Sequence, residues 1–193
     1  MEKQTNIDQY IAEALKVLRA GGIILYPTDT VWGIGCDAEN AEAVAKIYAL
    51  KKRVDTKGML VLVEKPERID SYVEEVPEIA WSLIEVADSP LTIIYSGAQN
   101  LPSNLVPAEN TIGIRVVHHH FCEMLIRKLN RPLVSTSANI AGKPSPTSFQ
   151  NIDQSIIDGV DYIVPMDAEE EHTGKPSSII MLGTGGQVKI IRE

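Results

Sequence analysis

YPTDTVWGIGCDA, residues 26–38, follows the apolar run GGIILY and sets two threonines, two aspartates and two glycines close together. A turn needs one Gly or Pro and an Asn or Asp. This stretch holds far more small and polar groups than that, and it reads as a wall against which something binds. GIGCDA (33–38) also fits the G-x-G-x-x-G/A pattern of dinucleotide-binding folds. That motif follows its strand directly, whereas here PTDTVW intervenes. The stretch therefore argues against a doubly wound dinucleotide fold and for another α/β arrangement.

Outward from it, the periodicities alternate between 3.6 and 2. Upstream, Asn6 is a candidate cap for a helix carrying Ile7, Ile11, Leu15 and Leu18 on one face, stopped by Gly21 and Gly22; IILY (23–26) reads as a buried strand. Downstream, Asn40 is a candidate cap for a helix with Ala43, Val44, Ile47 and Leu50 inward, and MLVLV (59–63) is the next strand. Pro66 and Pro77 open two further helices. LTIIY (91–95), TIGIRVV (111–117) and PLVST (132–136) read as strands, with a helix over roughly 119–129 between the last two. A short helix near 151–157, a strand YIV and two closing strands, SSIIML and QVKII, complete the chain. Strands come both alternating with helices and in adjacent pairs, so the sheet is expected to be mixed.

The 193 residues fit one domain, 1–193, with no repeat or linker; 44% are hydrophobic and 23% charged, as in ordinary globular proteins. The net charge of −8 speaks against a protein whose main task is gripping a nucleic acid backbone. Two cysteines, Cys36 and Cys122, make neither a disulfide framework nor a four-ligand zinc site and are expected as buried thiols. MEKQTNIDQY lacks the basic and apolar regions of a signal peptide, and no apolar run reaches the length of a membrane span, so the expected location is the cytoplasm, away from membranes.

Three further motifs mislead. TGKPS (173–177) imitates the end of a P-loop, but Glu169 stands where the first glycine belongs and Pro176 follows the lysine. His118, His119 and His120 with Cys122 fall within one helical turn and cannot all face one ion, so no metal ligand is assigned and a polar helix start at the surface is expected. STS (135–137) lacks the elbow of a hydrolase nucleophile. What remains is a set of polar groups at strand ends. Lys51 and Arg53, followed by Lys57, read either as solvated cations at a helix C-terminus or as a trident for phosphates. Arg115, inside the apolar strand IGIRVV, needs an anionic partner or an opening to water. SANIAG (137–142) and GKPSS (174–178) are small-residue loops able to approach a ligand closely.

Taken in order, YPTDTVWGIGCDA, Lys51-x-Arg53, SPLTIIY, TIGIRV, PLVSTSANIAG and GKPSSII resemble the YrdC/TsaC family of threonylcarbamoyl-AMP synthases over nearly the whole chain. The resemblance implies a YrdC/RibB-like fold: a strongly twisted mixed β-sheet flanked by helices, with a large concave groove. It implies that L-threonine, bicarbonate and ATP, with Mg2+ carried in by ATP, give threonylcarbamoyl-AMP and pyrophosphate, the first step of t6A modification of tRNA, completed by a separate transfer complex. The family tetrad falls on Lys51, Arg53, Ser137 and Asn139. By the resemblance Tyr26, Thr30, Thr111, Arg115 and Ser178 surround threonine, while Lys51, Arg53, Lys57, Ser135, Ser137 and Asn139 handle ATP. A paralogous group that keeps the fold lacks the tetrad. Departures are Val54, Val117 and Gly58, where many members have proline, Ser178, often threonine, and Leu62, where some longer relatives have histidine. Two other readings stand beside this one: a non-enzymatic protein binding double-stranded RNA, even if weakly, and a carbamoyl-adenylate-forming relative with another substrate, as in hydrogenase maturation.

Overall fold

The computed structural model of the protein describes residues 2–52, 59–168, 170, 172–183 and 187–193, with side chains from residue 6. The first helix, α1 (Glu2–Arg19), buries Ile7, Ile11, Ala14, Leu15 and Leu18 as one stripe. It begins upstream of Asn6, which is therefore an interior residue and not the cap expected of it. Gly21, at φ +74°, ends the helix, and the Gly22 amide donates to the Val17 carbonyl at 2.9 Å.

Strand β1 (Ile24–Tyr26) and strand β2 (Gly33–Gly35) flank the Thr28–Thr30 turn. Helix α2 (Ala41–Leu50) starts at Asn40, whose side-chain oxygen accepts from the Ala43 amide at 3.0 Å. Strand β3 (Leu60–Val63) follows. Pro66 opens a 3-10 helix (Pro66–Ser71), tighter than the α-helix expected there, and Pro77 precedes helix α3 (Glu78–Glu85). Strands β4 (Leu91–Ser96) and β5 (Thr111–Val116), helix α4 (His120–Leu129) and strand β6 (Leu133–Ser137) come next. Helix α5 (Gln154–Ile157), capped by Asp153, and strands β7 (Tyr162–Ile163), β8 (Ser178–Leu182) and β9 (Val188–Arg192) close the order.

The strands form one mixed sheet in the order β7-β1-β2-β6-β3-β5-β4-β8-β9. The β1–β7, β3–β5 and β4–β8 pairs are parallel and the others antiparallel. Because side chains alternate across a strand, the register sorts the residues onto two faces. Ile34, Val61, Ile93, Ile112, Ile114 and Val134 lie on one, in a core shared with α2 and α3. On the other face Tyr26, Leu62 and Leu133 pack against α1 and α4, through Ile11, Leu18, Phe121 and Leu125. Each such side chain contributes on the order of 1.5–3 kcal/mol by leaving water. The two helices cover only part of this face. Beyond them Gly33, Ser135, Ser137, Leu60, Arg115 and Thr92 continue the same face by register, and there the groove opens.

Candidate active site

The turn after β1 is held by its own hydroxyls. Thr28 Oγ1 donates to the Val31 carbonyl at 2.7 Å and accepts from the Thr30 amide at 3.1 Å. Its neighbour Asp29 points elsewhere: Oδ1 lies 3.1 Å from Arg115 Nη2, and Oδ2 accepts from the His118 amide at 3.2 Å. Thr30 is the threonine that reaches the groove, where its Oγ1 accepts from Arg115 Nη1 at 3.1 Å. Arg115 thus has its anionic partner inside the protein. With side-chain exposures of 3% and 7%, the Arg115–Asp29 pair is desolvated and its guanidinium orientation is fixed before any ligand arrives.

The two glycines of β2 serve the sheet as much as the groove. A Cβ at Gly35 would stand 2.6 Å from the Val134 carbonyl and 2.7 Å from Tyr26 Cε1; one at Gly33 would sit 3.4 Å from Ser135 Oγ. Gly35 is a gap for the Tyr26 ring. Tyr26 itself is fully buried under the groove and is not among its lining residues. Burial pushes its phenol well above the ordinary range, with Ser135 and Arg115 pulling the other way, so it stays protonated.

Lys51 follows α2 and is 3% exposed, not solvated. Its Nζ donates to the carbonyls of Ser137 and, at 2.7 Å, of Asn139. In return the Ala141 amide donates to the Lys51 carbonyl at 3.0 Å. The loop after β6 is tied further: Ser137 Oγ donates to Asn139 Oδ1, and Asn139 Nδ2 donates to Ile140 O at 3.0 Å and Lys143 O at 2.6 Å. One buried ammonium and one amide therefore shape a loop whose Ser137 lines the groove.

These parts enclose a cavity of about 240 Å³ with Thr30, Arg115, Ser135 and Ser137 in its wall. Lys51 and Asn139 join it through their bonds to Ser137. Thr111 opens β5 on the same face, paired with Ser96, but outside the cavity wall. Ser178 pairs with Leu91 on the opposite face, whereas Ser177 lines the cavity and shares a 2.7 Å hydrogen bond with Thr92 Oγ1. Arg53 and Lys57 lie outside the described residues. The histidine run is split: His118 is exposed, His119 is buried and His120 begins α4, so only part of it is a surface helix start.

Two residues that shape the groove escape a reading of the sequence, Asp29 behind its wall as the partner of Arg115 and Arg192 in its lining. Asp29 sits in the quoted stretch but looks like one more turn residue. Arg192, at the end of β9, opposes Ile179 and lines the cavity, with Nε and Nη2 both donating to Ser177 O at 3.0 and 2.6 Å. Burial, and then the nearby Arg115, pull its guanidinium down from the ordinary value. The described lining residues thus include two arginines and four serines, and no carboxylate. That composition suits an anion with several oxygens.

Comparisons with known proteins agree in direction. The family model described as telomere recombination, Sua5/YciO/YrdC, matches residues 16–193. The threonylcarbamoyl-AMP synthase of Pseudomonas aeruginosa (strain UCBPP-PA14) is 35% identical over 153 residues, covering 78% of this chain and 82% of that protein. The structure of Escherichia coli YciO superimposes with a TM-score of 0.83 at 25% identity, over 96% of this chain and 89% of YciO. Pyrococcus abyssi Sua5 complexed with L-threonine gives 0.81 at 28% identity, over 89% of this chain; the chain spans about half (50%) of that longer protein.

Proposed function

The chain belongs to the Sua5/YciO/YrdC family, and from that premise we propose that it is a threonylcarbamoyl-AMP synthase, joining L-threonine, bicarbonate and ATP with release of pyrophosphate. The observation that carries the reading is the cation-lined cavity built around Arg115, Ser137 and Arg192. Relatives at about a third identity carry that enzyme name, and a structural neighbour binds threonine.

The chemistry needs little from the protein beyond placement. Threonine's amine attacks CO2 derived from bicarbonate, forming an N–C bond and losing a proton to solvent. A carbamate oxygen then attacks the α-phosphorus, forming an O–P bond as the bond to the pyrophosphate oxygen breaks. No covalent enzyme intermediate is required. The arginines meet charge on the carboxylate and phosphoryl oxygens, and the pinned Ser137–Asn139 loop orients the nucleotide phosphates. Arg115, locked by Asp29 and Thr30, is assigned to the threonine carboxylate. Thr30 offers its hydroxyl, and Tyr26 supports the floor. Thr111 is kept as an outer member of the threonine site, while Ser177 takes the place expected of Ser178, whose side chain lies on the opposite face of the sheet. Lys51, Arg53, Lys57, Ser135, Ser137 and Asn139 are assigned to ATP. Because the described lining residues supply no carboxylate, Mg2+ would enter held by ATP's phosphates and water. The product would pass to a separate machinery that transfers the threonylcarbamoyl group to tRNA.

The test is pyrophosphate release from ATP, measured with and without threonine and bicarbonate. Release that requires both supports the synthase; release indifferent to threonine rejects it. Arg53→Ala is expected to lose on the order of 2–4 kcal/mol of transition-state stabilisation in kcat/KM.

A further inference from the structure

Behind the Arg115 clamp lies a second, larger cavity of about 370 Å³. It sits on the other face of the sheet, walled by Ile84 of α3, Ile93 of β4 and Ile114 of β5. Its lining inverts the electrostatics of the groove. The groove's described lining has Arg115 and Arg192 and no carboxylate, whereas the described lining of this cavity has Asp29 and Asp88, two histidines (His118 and His172), and no Lys or Arg. The partition between the two is thin and built from backbone: the Thr173 amide donates to Asp29 O and the Gly174 amide to Thr30 O, both at 3.1 Å. Asp29 spans that partition, lining the cavity while its carboxylate pairs with Arg115 in the groove.

We propose that this cavity is a second ligand site, taking a small amine carried on an apolar body. The isoleucine walls favour a hydrocarbon portion, as in most small-molecule sites. The polar end meets Asp29 and Asp88, with no Lys or Arg among the described lining residues of this cavity, which selects a donor-rich cation over an anion. Asp29 already accepts from the His118 amide and faces Arg115, and a carboxylate retains lone pairs for a further donor. An ammonium there competes with Arg115 for Asp29, so occupancy of the cavity weakens the hold on whatever Arg115 binds in the groove. That coupling is reciprocal. The site itself stands apart from the synthase reading; the link to threonine rests on it.

The probe is 2-phenylethylamine, titrated into the full chain at pH 8 without ATP or threonine and followed by backbone amide NMR. Saturable shifts at Ser89, His118 and Thr173 are expected, with 2-phenylethanol and phenylacetate binding at least tenfold more weakly. Ala87→Trp, which plugs the mouth, should weaken the amine at least tenfold with an unchanged circular dichroism spectrum. Equal binding by phenylacetate, full binding to Ala87→Trp, no saturation at 10 mM amine, or shifts confined to the groove around Ser137 would each overturn the site. A threonine titration then reads the link: a threefold or larger rise in the amine's Kd supports it, and an unchanged Kd with saturating threonine severs the two cavities. Failure of pyrophosphate release with normal amine binding would remove the synthase reading and leave this one intact.

Discussion

Lys51 shows how a residue can belong to a motif for one reason and to the structure for another. As half of Lys51-x-Arg53 it reads in the sequence as part of a phosphate trident, yet its ammonium is buried on the carbonyls of Ser137 and Asn139. Lys51→Met keeps the length and removes the donor. Each carbonyl left unpaired costs about 1–3 kcal/mol, so urea melts should show a loss of that order together with reduced turnover. Arg115 and Asp29 make a second case. Arg115→Lys cannot hold both Thr30 and a ligand carboxylate in one plane, and the KM for threonine should rise much more than that for ATP. Asp29→Asn leaves a buried guanidinium without its counter-charge, at a cost of roughly 3–5 kcal/mol in stability. Its threonine KM should rise as well, read by steady-state kinetics at saturating ATP. Equal effects on ATP would move Arg115 to the phosphates. The need of Arg115 for an anion was legible in the apolar run around it. That Asp29 meets the need was not, because the partners are brought together by a turn and a strand 86 positions apart in the chain, Asp29 and Arg115. Arg192 was less legible still: at a strand end next to Glu193 it reads as a solvated charge, and only pairing with Ile179 sets it on the groove side while it stays exposed.

At the scale of elements, the long periodic segments α1, α2, β4, β5 and α4 could be read directly, since each buries a stripe or an alternating face. Strand β2 could not. Three residues, Gly-Ile-Gly, carry no alternation, and the strand exists because β1 and β6 pair on either side of it. Its glycines looked like ligand-approach residues, and Gly35 turned out to be a gap for Tyr26 and the Val134 carbonyl. Gly35→Ala should therefore cost about 1–3 kcal/mol through overpacking against backbone, seen as a lower Tm. Helix α5 gives an element-level pH effect. Its cap Asp153 accepts from the Ser155 hydroxyl and amide and from Lys143, which holds its carboxyl well below the usual range. A carboxyl depressed on folding stabilises above its unfolded pKa and loses that contribution as pH falls through the folded value. Lowering pH from about 5 toward 2 should thus erode stability in the wild type, and less so in Asp153→Ala, when Tm is followed against pH.

The whole molecule is acidic, at −8, but presents a groove whose described lining is cationic. Repulsion of ATP by distant carboxylates is already screened beyond about 10 Å at 0.1 M salt, so under the proposed function contact with the arginines would decide binding. Raising salt from 0.15 to 0.5 M should weaken ATP more than threonine, whose net charge is near zero; isothermal titration of each ligand checks it. The mixed sheet was legible from strands arriving both singly and in pairs, while its order was not, since pairing such as β1 with β7 leaves no local trace.

That pairing also governs how the chain matures. Strand β1 ends at Tyr26 and waits for Tyr162 and Ile163, with α1 waiting for α4. At ~5–20 residues per second of synthesis, the first strand emerges roughly 7–27 seconds before its edge partner exists. During that interval the apolar stripe of α1 and the open side of β1 lack these partners. On the ribosome, then, the N-terminal segment cannot complete its pairing or its packing until nearly the whole chain has been made.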